Sequence, residues 1–228
     1  MTIFIRTYHK DLKWLQYCLK SIHKNLIGWN EIVICIPKGQ EPYLSHLTSE
    51  RVVTSKIYRD DYLGQQLSKI KAHQYVNDDY ILFVDSDCIF KPNSDVRDYF
   101  HDNKPVILKQ RYENVGDAIC WKEPTEYLFQ EYVPYEYMRR APQLFLRETL
   151  INFNTHFPFI EDYVVNLPYR RFSEFNALGY FAEKMENEKY SIIDIDNSDI
   201  KLPENKCMQF WSWGGVENNI KRIEELIG

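Results

Sequence analysis

The chain has 228 residues, of which 44% are hydrophobic and 27% charged, a composition that predicts one folded globular domain. The net charge of −5 argues against a nucleic-acid partner held through its phosphates, because such domains carry a basic excess. Five cysteines without paired spacing indicate neither a disulfide framework nor a zinc site. With no run of 18 apolar residues, we expect a cytoplasmic protein without a membrane span.

Strands and helices alternate through the first half of the chain. Apolar runs predict strands at 2–5, 31–36, 52–58 and 80–84, and apolar residues three or four apart predict helices at 11–25 and 65–75. The strand at 80–84 is apolar throughout, as expected for a strand buried on both faces of a parallel sheet. The alternation predicts an α/β, Rossmann-like fold, with a mostly parallel mixed central sheet flanked by helices.

The second half is less regular. Its predicted elements are strands at 105–109 and 190–195 and helices at 123–132, 142–153, 173–185 and 216–227. Ser173 is expected to cap the helix that begins there. Because there is no repeat, low-complexity tract or linker, we predict a single domain spanning residues 1–228.

Two aspartates follow the apolar strand directly, in the segment Asp85-Ser86-Asp87. The carboxyl end of a central strand is where open α/β sheets bind ligands, and side chains two apart on an extended segment point the same way. Two hard oxygen ligands suit Mg²⁺ or Mn²⁺, which keep open positions for phosphate oxygens. The alternative is a solvated turn, since Asp and Ser are common where strands end.

Several segments, taken together, resemble the GT-A fold glycosyltransferases. ILFVDSDCIF (81–90) is similar to the segment of that family that binds a divalent ion and the nucleotide-sugar diphosphate. IFIRTY (3–8) resembles its first strand and turn, and DYLGQQ (61–66), FSEFN (172–176) and QFWSW (209–213) resemble segments of a bacterial and viral subgroup. The resemblance covers nearly the whole chain. It implies a nucleotide-sugar half at about 1–110 and an acceptor half at about 111–228.

The resemblance also implies the donor and the residues that meet it. It implies a metal-dependent transfer, with Mn²⁺ or Mg²⁺, from a nucleotide sugar, with UDP the usual nucleotide, to a glycan or another hydroxyl acceptor. The residues expected at the donor are Arg6, Thr7, Tyr8, Asp11, Arg59, Gln66, Lys69, Asp85, Ser86, Trp211 and Trp213. Asp85 and Asp87 are the expected metal ligands.

Several of these residues have an expected role in binding the donor and also an ordinary structural explanation. Tyr8 is expected to stack on the base and Asp11 to bind base or ribose, although an aspartate before a helix is usually its cap. Arg6, Arg59 and Lys69 are candidate cations for the diphosphate, whereas Lys71 is better explained as a solvated lysine. Gln65 and Gln66 are predicted to open a helix whose N-terminus favours an anion.

Glu174 is the candidate general base. In inverting enzymes of this family, the resemblance implies a carboxylate here that accepts the proton of the acceptor hydroxyl. Asp162 is the competing candidate. Without the resemblance, Glu174 is explained as an acidic residue favoured by the helix macrodipole.

The tryptophans Trp211 and Trp213 precede paired glycines, which suggests a loop that closes over a sugar; the alternative is core packing. Many family members supply a histidine near this point as a further metal ligand. This chain has none there, and Gln209 is the nearest substitute.

Three other functions stay open. A retaining glycosyltransferase of the same fold would need no general base at Glu174. A sugar nucleotidyltransferase normally has a glycine-rich loop after its first strand, but Arg6 to Asp11 contains no glycine. A non-enzymatic carbohydrate-binding module would explain the aromatic residues but has no need of an aspartate pair after a buried strand.

Overall fold

The computed structural model describes residues 1–139, 141–197, 199 and 206–228, apart from the side chains of Asp117 and Trp213. Its strands are β1 (Thr2–Arg6), β2 (Leu26–Ile27), β3 (Glu31–Pro37), β4 (Arg51–Ser55), β5 (Tyr80–Asp85), β6 (Cys88–Phe90), β7 (Ser94–Asp95), β8 (Phe100–His101), β9 (Lys104–Arg111), β10 (Tyr135–Glu136), β11 (Gln143–Leu146), β12 (Ser191–Asp194) and β13 (Cys207–Gln209). The helices are α1 (Leu12–Asn25), α2 (Asp61–Ile70), α3 (Lys122–Phe129), α4 (Arg147–His156), α5 (Ile160–Val165), α6 (Glu174–Met185) and α7 (Ile220–Ile227).

A five-stranded central sheet has the order β11-β5-β1-β3-β4. β5, β1, β3 and β4 are parallel, and β11 is antiparallel to β5 at the edge. The chain leaves β1 toward β3 and β4 but returns on its other side as β5, so the winding reverses between β1 and β5. The predicted α/β fold with a mostly parallel central sheet is confirmed.

Alternate side chains of β1 pack into two separate hydrophobic cores, one on each face of the sheet. Ile3 and Ile5 pack in a cluster that includes Leu15 and Ile22 of α1. Phe4 packs on the other face in a cluster that extends to α2, α4 and α6. Because both faces are covered, the middle residues of the central strands are apolar, which is why these strands were recognisable in the sequence.

Shorter pairings complete the architecture. β9 lies between β10 and β12, and β8 also pairs with β9. β13 runs antiparallel to β6 and places Gln209 opposite Cys88, next to the aspartate segment. None of the helices in the described ranges is long and apolar enough to cross a membrane.

The prediction of a helix at 142–153 is wrong at its start. Gln143–Leu146 forms strand β11, and the helix begins at Arg147. The backbone of this segment pairs with β5, while Leu144 and Phe145 pack into the two opposite cores. The tertiary need to complete the edge of β5 overrides the local helical pattern.

Helix α2 begins earlier than predicted, at Asp61 rather than at residue 65. The Asp60 carboxylate accepts hydrogen bonds from the backbone N–H groups of Tyr62 and Leu63, which fixes the helix start there. Gln65 and Gln66 therefore lie inside the helix, and the prediction that they open it is wrong. The predicted Ser173 cap is confirmed, since its hydroxyl accepts from the Asn176 N–H at 3.3 Å.

Candidate functional site

A cleft of about 500 Å³ opens at the carboxyl edge of the central sheet, where the winding reverses between β1 and β5. Ligands bind at such reversal points in open α/β sheets. The cleft brings together many of the predicted site residues: Arg6, Thr7, Tyr8, Asp11, Gln66, Lys69, Asp85, Ser86, Asp87, Glu174 and Trp211. Segments far apart in the sequence therefore form one continuous wall.

Two predicted residues lie elsewhere. The side chains of Arg59, before α2, and Asp162, in α5, are exposed and do not line the cleft. Lys71, which was explained as a solvated lysine, forms an ion pair with Glu161 instead. The side chain of Trp213 lies outside the described part of the structure.

Asp85 and Asp87 converge on a single point. The Gln209 side-chain nitrogen lies 3.1 Å from Asp85 Oδ2 and 3.3 Å from Asp87 Oδ1. The other Asp87 oxygen, Oδ2, accepts a hydrogen bond from the Ser212 backbone N–H at 2.8 Å. The β13–β6 pairing thus delivers Gln209 and the following loop onto the aspartate pair.

Burial makes this arrangement costly when it is fully ionised. Asp87 is only 6% exposed, and its burial, followed by the nearby charge of Asp85, raises its pKa to about 6. The hydrogen bonds from Ser212 and Gln209 oppose that rise but do not cancel it. The pKa of Asp11 is also raised to about 6, chiefly by burial and against the effect of Arg6. A cation at this edge would relieve the repulsion.

The donor atoms fit a small hard cation with few protein ligands. Within the described residues, no group of three or more His, Cys, Asp or Glu side chains is arranged to hold a metal. Mg²⁺ and Mn²⁺, however, are commonly bound through one or two carboxylates plus substrate phosphates. Asp85 and Asp87 fit that pattern, and a half-turn of the Gln209 amide would replace its nitrogen with an oxygen acceptor between them.

Lys69 is a buried bridge between two parts of the cleft. Its ammonium nitrogen lies 2.7 Å from Asp85 Oδ1 and 2.9 Å from Glu174 Oε1, and the side chain is 2% exposed. It also lies 4.8 Å from the centre of the Phe175 ring. Because two carboxylates already pair with this cation, its immediate role is to join α2, β5 and α6.

Glu174 begins α6 and is buried. Its backbone N–H donates to Gln66 Oε1 at 3.0 Å, so Gln66 serves to position the start of this helix. Burial raises the pKa of the Glu174 carboxyl, and the adjacent Lys69 partly offsets that rise. Oε1 faces Lys69 as an ion pair without regular hydrogen-bond geometry among the described residues. A carboxylate held in this way is suited to accepting a proton.

The other end of the cleft is formed by the turn after β1. The buried Arg6 guanidinium donates to both carboxylate oxygens of Asp61 and to the Thr7 carbonyl. Thr7 Oγ1 is buried and has no hydrogen-bond partner among the described residues. Tyr8 lines the same wall, and burial followed by the charge of Asp11 raises its pKa.

Sequence reasoning assigned no role to several residues of the cleft wall: Tyr62, Met138, Ala141, Arg170 and Ser212. Tyr62 and Ser212 lie inside the segments DYLGQQ and QFWSW. No local motif marks the other three, because their position follows from the packing of distant segments. Ser212 contributes a backbone N–H, which any residue type could supply. Trp211, by contrast, was predicted, and it stands at the cleft with 59% of its surface exposed.

Comparison with known proteins adds no assignment. No protein-family model matches the sequence, and no curated protein matches it.

Proposed function

We propose that this protein is a metal-dependent glycosyltransferase that uses a nucleotide-activated sugar, with UDP as the expected nucleotide. The observation that carries the proposal is the convergence of Asp85 and Asp87 on one point in the cleft, with the buried Glu174 joined to Asp85 through Lys69. A carboxylate pair that can hold a cation for the diphosphate and a proton acceptor, both in one cleft, are the two parts that this reaction needs.

The fold supports the proposal without specifying it. A mostly parallel sheet with an antiparallel edge strand and a cleft at its winding reversal is compatible with the GT-A fold that the sequence resembles. The turn after β1 offers Thr7, Tyr8 and Asp11 to the nucleoside. The aspartate pair lies at the carboxyl end of the neighbouring strand, beside the site proposed for the diphosphate.

The proposed reaction is a single displacement. The acceptor hydroxyl loses its proton to Glu174 as its oxygen forms a bond to the anomeric carbon, and the nucleoside diphosphate leaves with the electron pair of the broken C–O bond. Asp85 and Asp87 would hold a divalent ion, which supplies charge stabilisation to the leaving diphosphate. Lys69 keeps the Glu174 carboxylate in place. The anomeric configuration would be inverted, and an NMR analysis showing retention in the product would contradict the assignment of Glu174 as the base.

A thermal-shift screen of UDP, GDP, ADP and their sugar derivatives, with Mn²⁺ or with a chelator, tests the proposal. At about 100 times the dissociation constant, a bound nucleotide is expected to raise the melting temperature by about 5 to 10 °C. We expect that rise for UDP compounds only with Mn²⁺. Equal stabilisation in the presence of the chelator would contradict the metal role, and no stabilisation by any nucleotide would contradict the proposed function.

A further inference from the structure

The cationic side chains of the cleft differ in whether a carboxylate neutralises them. Among the described residues that line it, Arg6 pairs with Asp61, Lys69 with Asp85 and Glu174, and Arg139 with Glu136. Arg170 also lines the cleft, but no carboxylate of the described residues lies within ion-pairing distance of it. Its positive charge is therefore the one left over for a ligand in the described part of this wall.

Arg170 is held in place by aromatic residues. Its carbonyl oxygen accepts a hydrogen bond from Trp121 Nε1 at 3.1 Å. Its guanidinium carbon lies 5.9 Å from the Tyr62 ring centre and 5.4 Å from that of Tyr169. The backbone φ of +59° is unusual for a residue with a side chain, so the surrounding contacts must maintain it. The exposed Arg170 side chain thus lies beside two tyrosine rings at the cleft, and none of the described residues accepts a hydrogen bond or ion pair from its guanidinium.

Contacts of Tyr62 place Arg170 on the Glu174 side of the cleft. The Tyr62 hydroxyl donates to the Phe172 carbonyl at 3.4 Å, two residues before Glu174. The pKa of Tyr62 is raised by burial and by the charge of Glu174, and it is lowered by Lys69 and Arg170, so these charges surround one ring. Arg170 and Glu174 thus both lie near Tyr62, so a group bound at Arg170 would lie on the side of the cleft that holds the proposed base.

We propose that Arg170, Tyr62 and Trp121 form a subsite for a negatively charged group on the acceptor sugar, either a carboxylate or a phosphate. This inference rests on the proposed function, since it specifies the acceptor of that reaction. The planar guanidinium binds such oxygen pairs through two parallel hydrogen bonds. The neighbouring aromatic rings offer apolar faces to the CH groups of the sugar.

The test compares charged and neutral sugars by NMR titration without nucleotide or metal. The probes are methyl β-D-glucuronide and glucose 6-phosphate, with methyl β-D-glucoside as the neutral control. At least one charged probe is expected to bind about 10-fold more tightly than the glucoside, and Arg170→Gln should abolish that difference. Arg171→Gln, at the adjacent exposed residue outside the cleft lining, is the matched control and should retain it.

Three results would overturn the subsite. They are equal binding of charged and neutral probes, an unchanged preference in Arg170→Gln, and a loss of Mn²⁺-dependent UDP binding in Arg170→Gln, which would assign the residue to the donor. The proposed function fails separately, if wild-type protein does not bind any nucleotide with Mn²⁺. A protein that binds UDP with Mn²⁺ but does not distinguish the probes loses the subsite alone.

Discussion

Asp87, one of the two proposed metal ligands, lowers the stability of the folded protein when it is ionised. It is almost fully buried beside another carboxylate, and its pKa is raised to about 6 from an ordinary value of 3.8. The folded protein therefore binds this proton more tightly than the unfolded chain does. Its contribution to stability falls as the pH rises from about 4 to about 6, and it stays unfavourable above that range.

Replacing this charge is expected to stabilise the metal-free protein. In Asp87→Asn, the side-chain oxygen can still accept from Ser212, and the neutral amide no longer repels the neighbouring Asp85 carboxylate. We predict a gain of about 1 to 3 kcal/mol in the free energy of unfolding at pH 7.5, shrinking toward pH 4.

Urea denaturation in the presence of a chelator, repeated across that pH range, measures the effect. Asp162→Asn, at an exposed position outside the cleft, is the control and should change little. If Asp87→Asn were less stable than wild type at pH 7.5, the ionised Asp85 and Asp87 side chains would not destabilise the folded protein.

In the proposed reaction, Glu174 is the general base. Glu174→Gln retains an oxygen to face Lys69 but cannot accept the acceptor proton. We predict a fall in kcat of about 10²- to 10⁴-fold, with donor affinity in Mn²⁺ unchanged. Steady-state kinetics with a donor identified by the nucleotide screen checks this, and Asp162→Asn again serves as control. A larger loss in Asp162→Asn than in Glu174→Gln would reverse the assignment of the base.

At the scale of elements, Lys69 ties a helix, a strand and a second helix together at one atom. α2 supplies the ammonium group, β5 ends in Asp85, and α6 begins with Glu174. Removing one partner of such a buried group leaves uncompensated charge, which is more damaging than the loss of an exposed pair. The Lys69 ion pairs thus stabilise the fold and also fix the positions of Asp85 and Glu174 in the cleft.

Lys69→Met is predicted to lower the free energy of unfolding by about 3 to 5 kcal/mol at pH 8. The loss should be smaller at pH 5, because the raised pKa of Glu174 rises further without its cation and the carboxyl becomes neutral. Lys71→Met, two residues further along the chain, is the matched control. Its partly exposed ion pair with Glu161 is expected to contribute less than about 1 kcal/mol to the free energy of unfolding. Equal losses in the two variants, by denaturation at both pH values, would contradict the bridging role.

The success of sequence reasoning also differs between elements. β5 and the cap of α6 were predictable, because burial on both faces and a serine before an amphipathic helix leave direct local patterns. β11 was not, since only its pairing with β5 distinguishes Gln143–Leu146 from the first turn of a helix. The Asp85-Ser86-Asp87 motif likewise identified Asp85 as a residue of the cleft. Nothing in the local sequence indicated that the Arg59 side chain would be exposed outside it.

The roles of Gln209 and Arg170 depend on tertiary contacts that the local sequence does not indicate. Gln209 was identified as the nearest substitute for a missing histidine, and its contact with both aspartates arises from the β13–β6 pairing. Arg170 lies in no motif, and its significance depends on the carboxylates that pair with the other cations of the cleft. Such charge matching exists only once distant segments have packed together.

At the scale of the whole molecule, the fold gathers the carboxyl ends of β1 and β5, the middle of α2, the start of α6 and the chain after β13 around one cleft. A protein of net charge −5 gains little from long-range attraction for an anionic nucleotide. We therefore expect a bound cation, rather than the overall field of the protein, to provide most of the charge that retains a diphosphate.

Calorimetric titration of UDP, with Mn²⁺ and with a chelator, tests whether Asp85 and Asp87 hold a metal ion for the diphosphate. We predict that wild-type protein and Asp162→Asn bind UDP only with Mn²⁺. Asp87→Asn is expected to lose at least about 10-fold in affinity, or about 1.4 kcal/mol, while remaining folded and more stable at pH 7.5. UDP binding that is equally tight in Asp87→Asn, or in wild type with the chelator, would contradict the assignment of the aspartate pair.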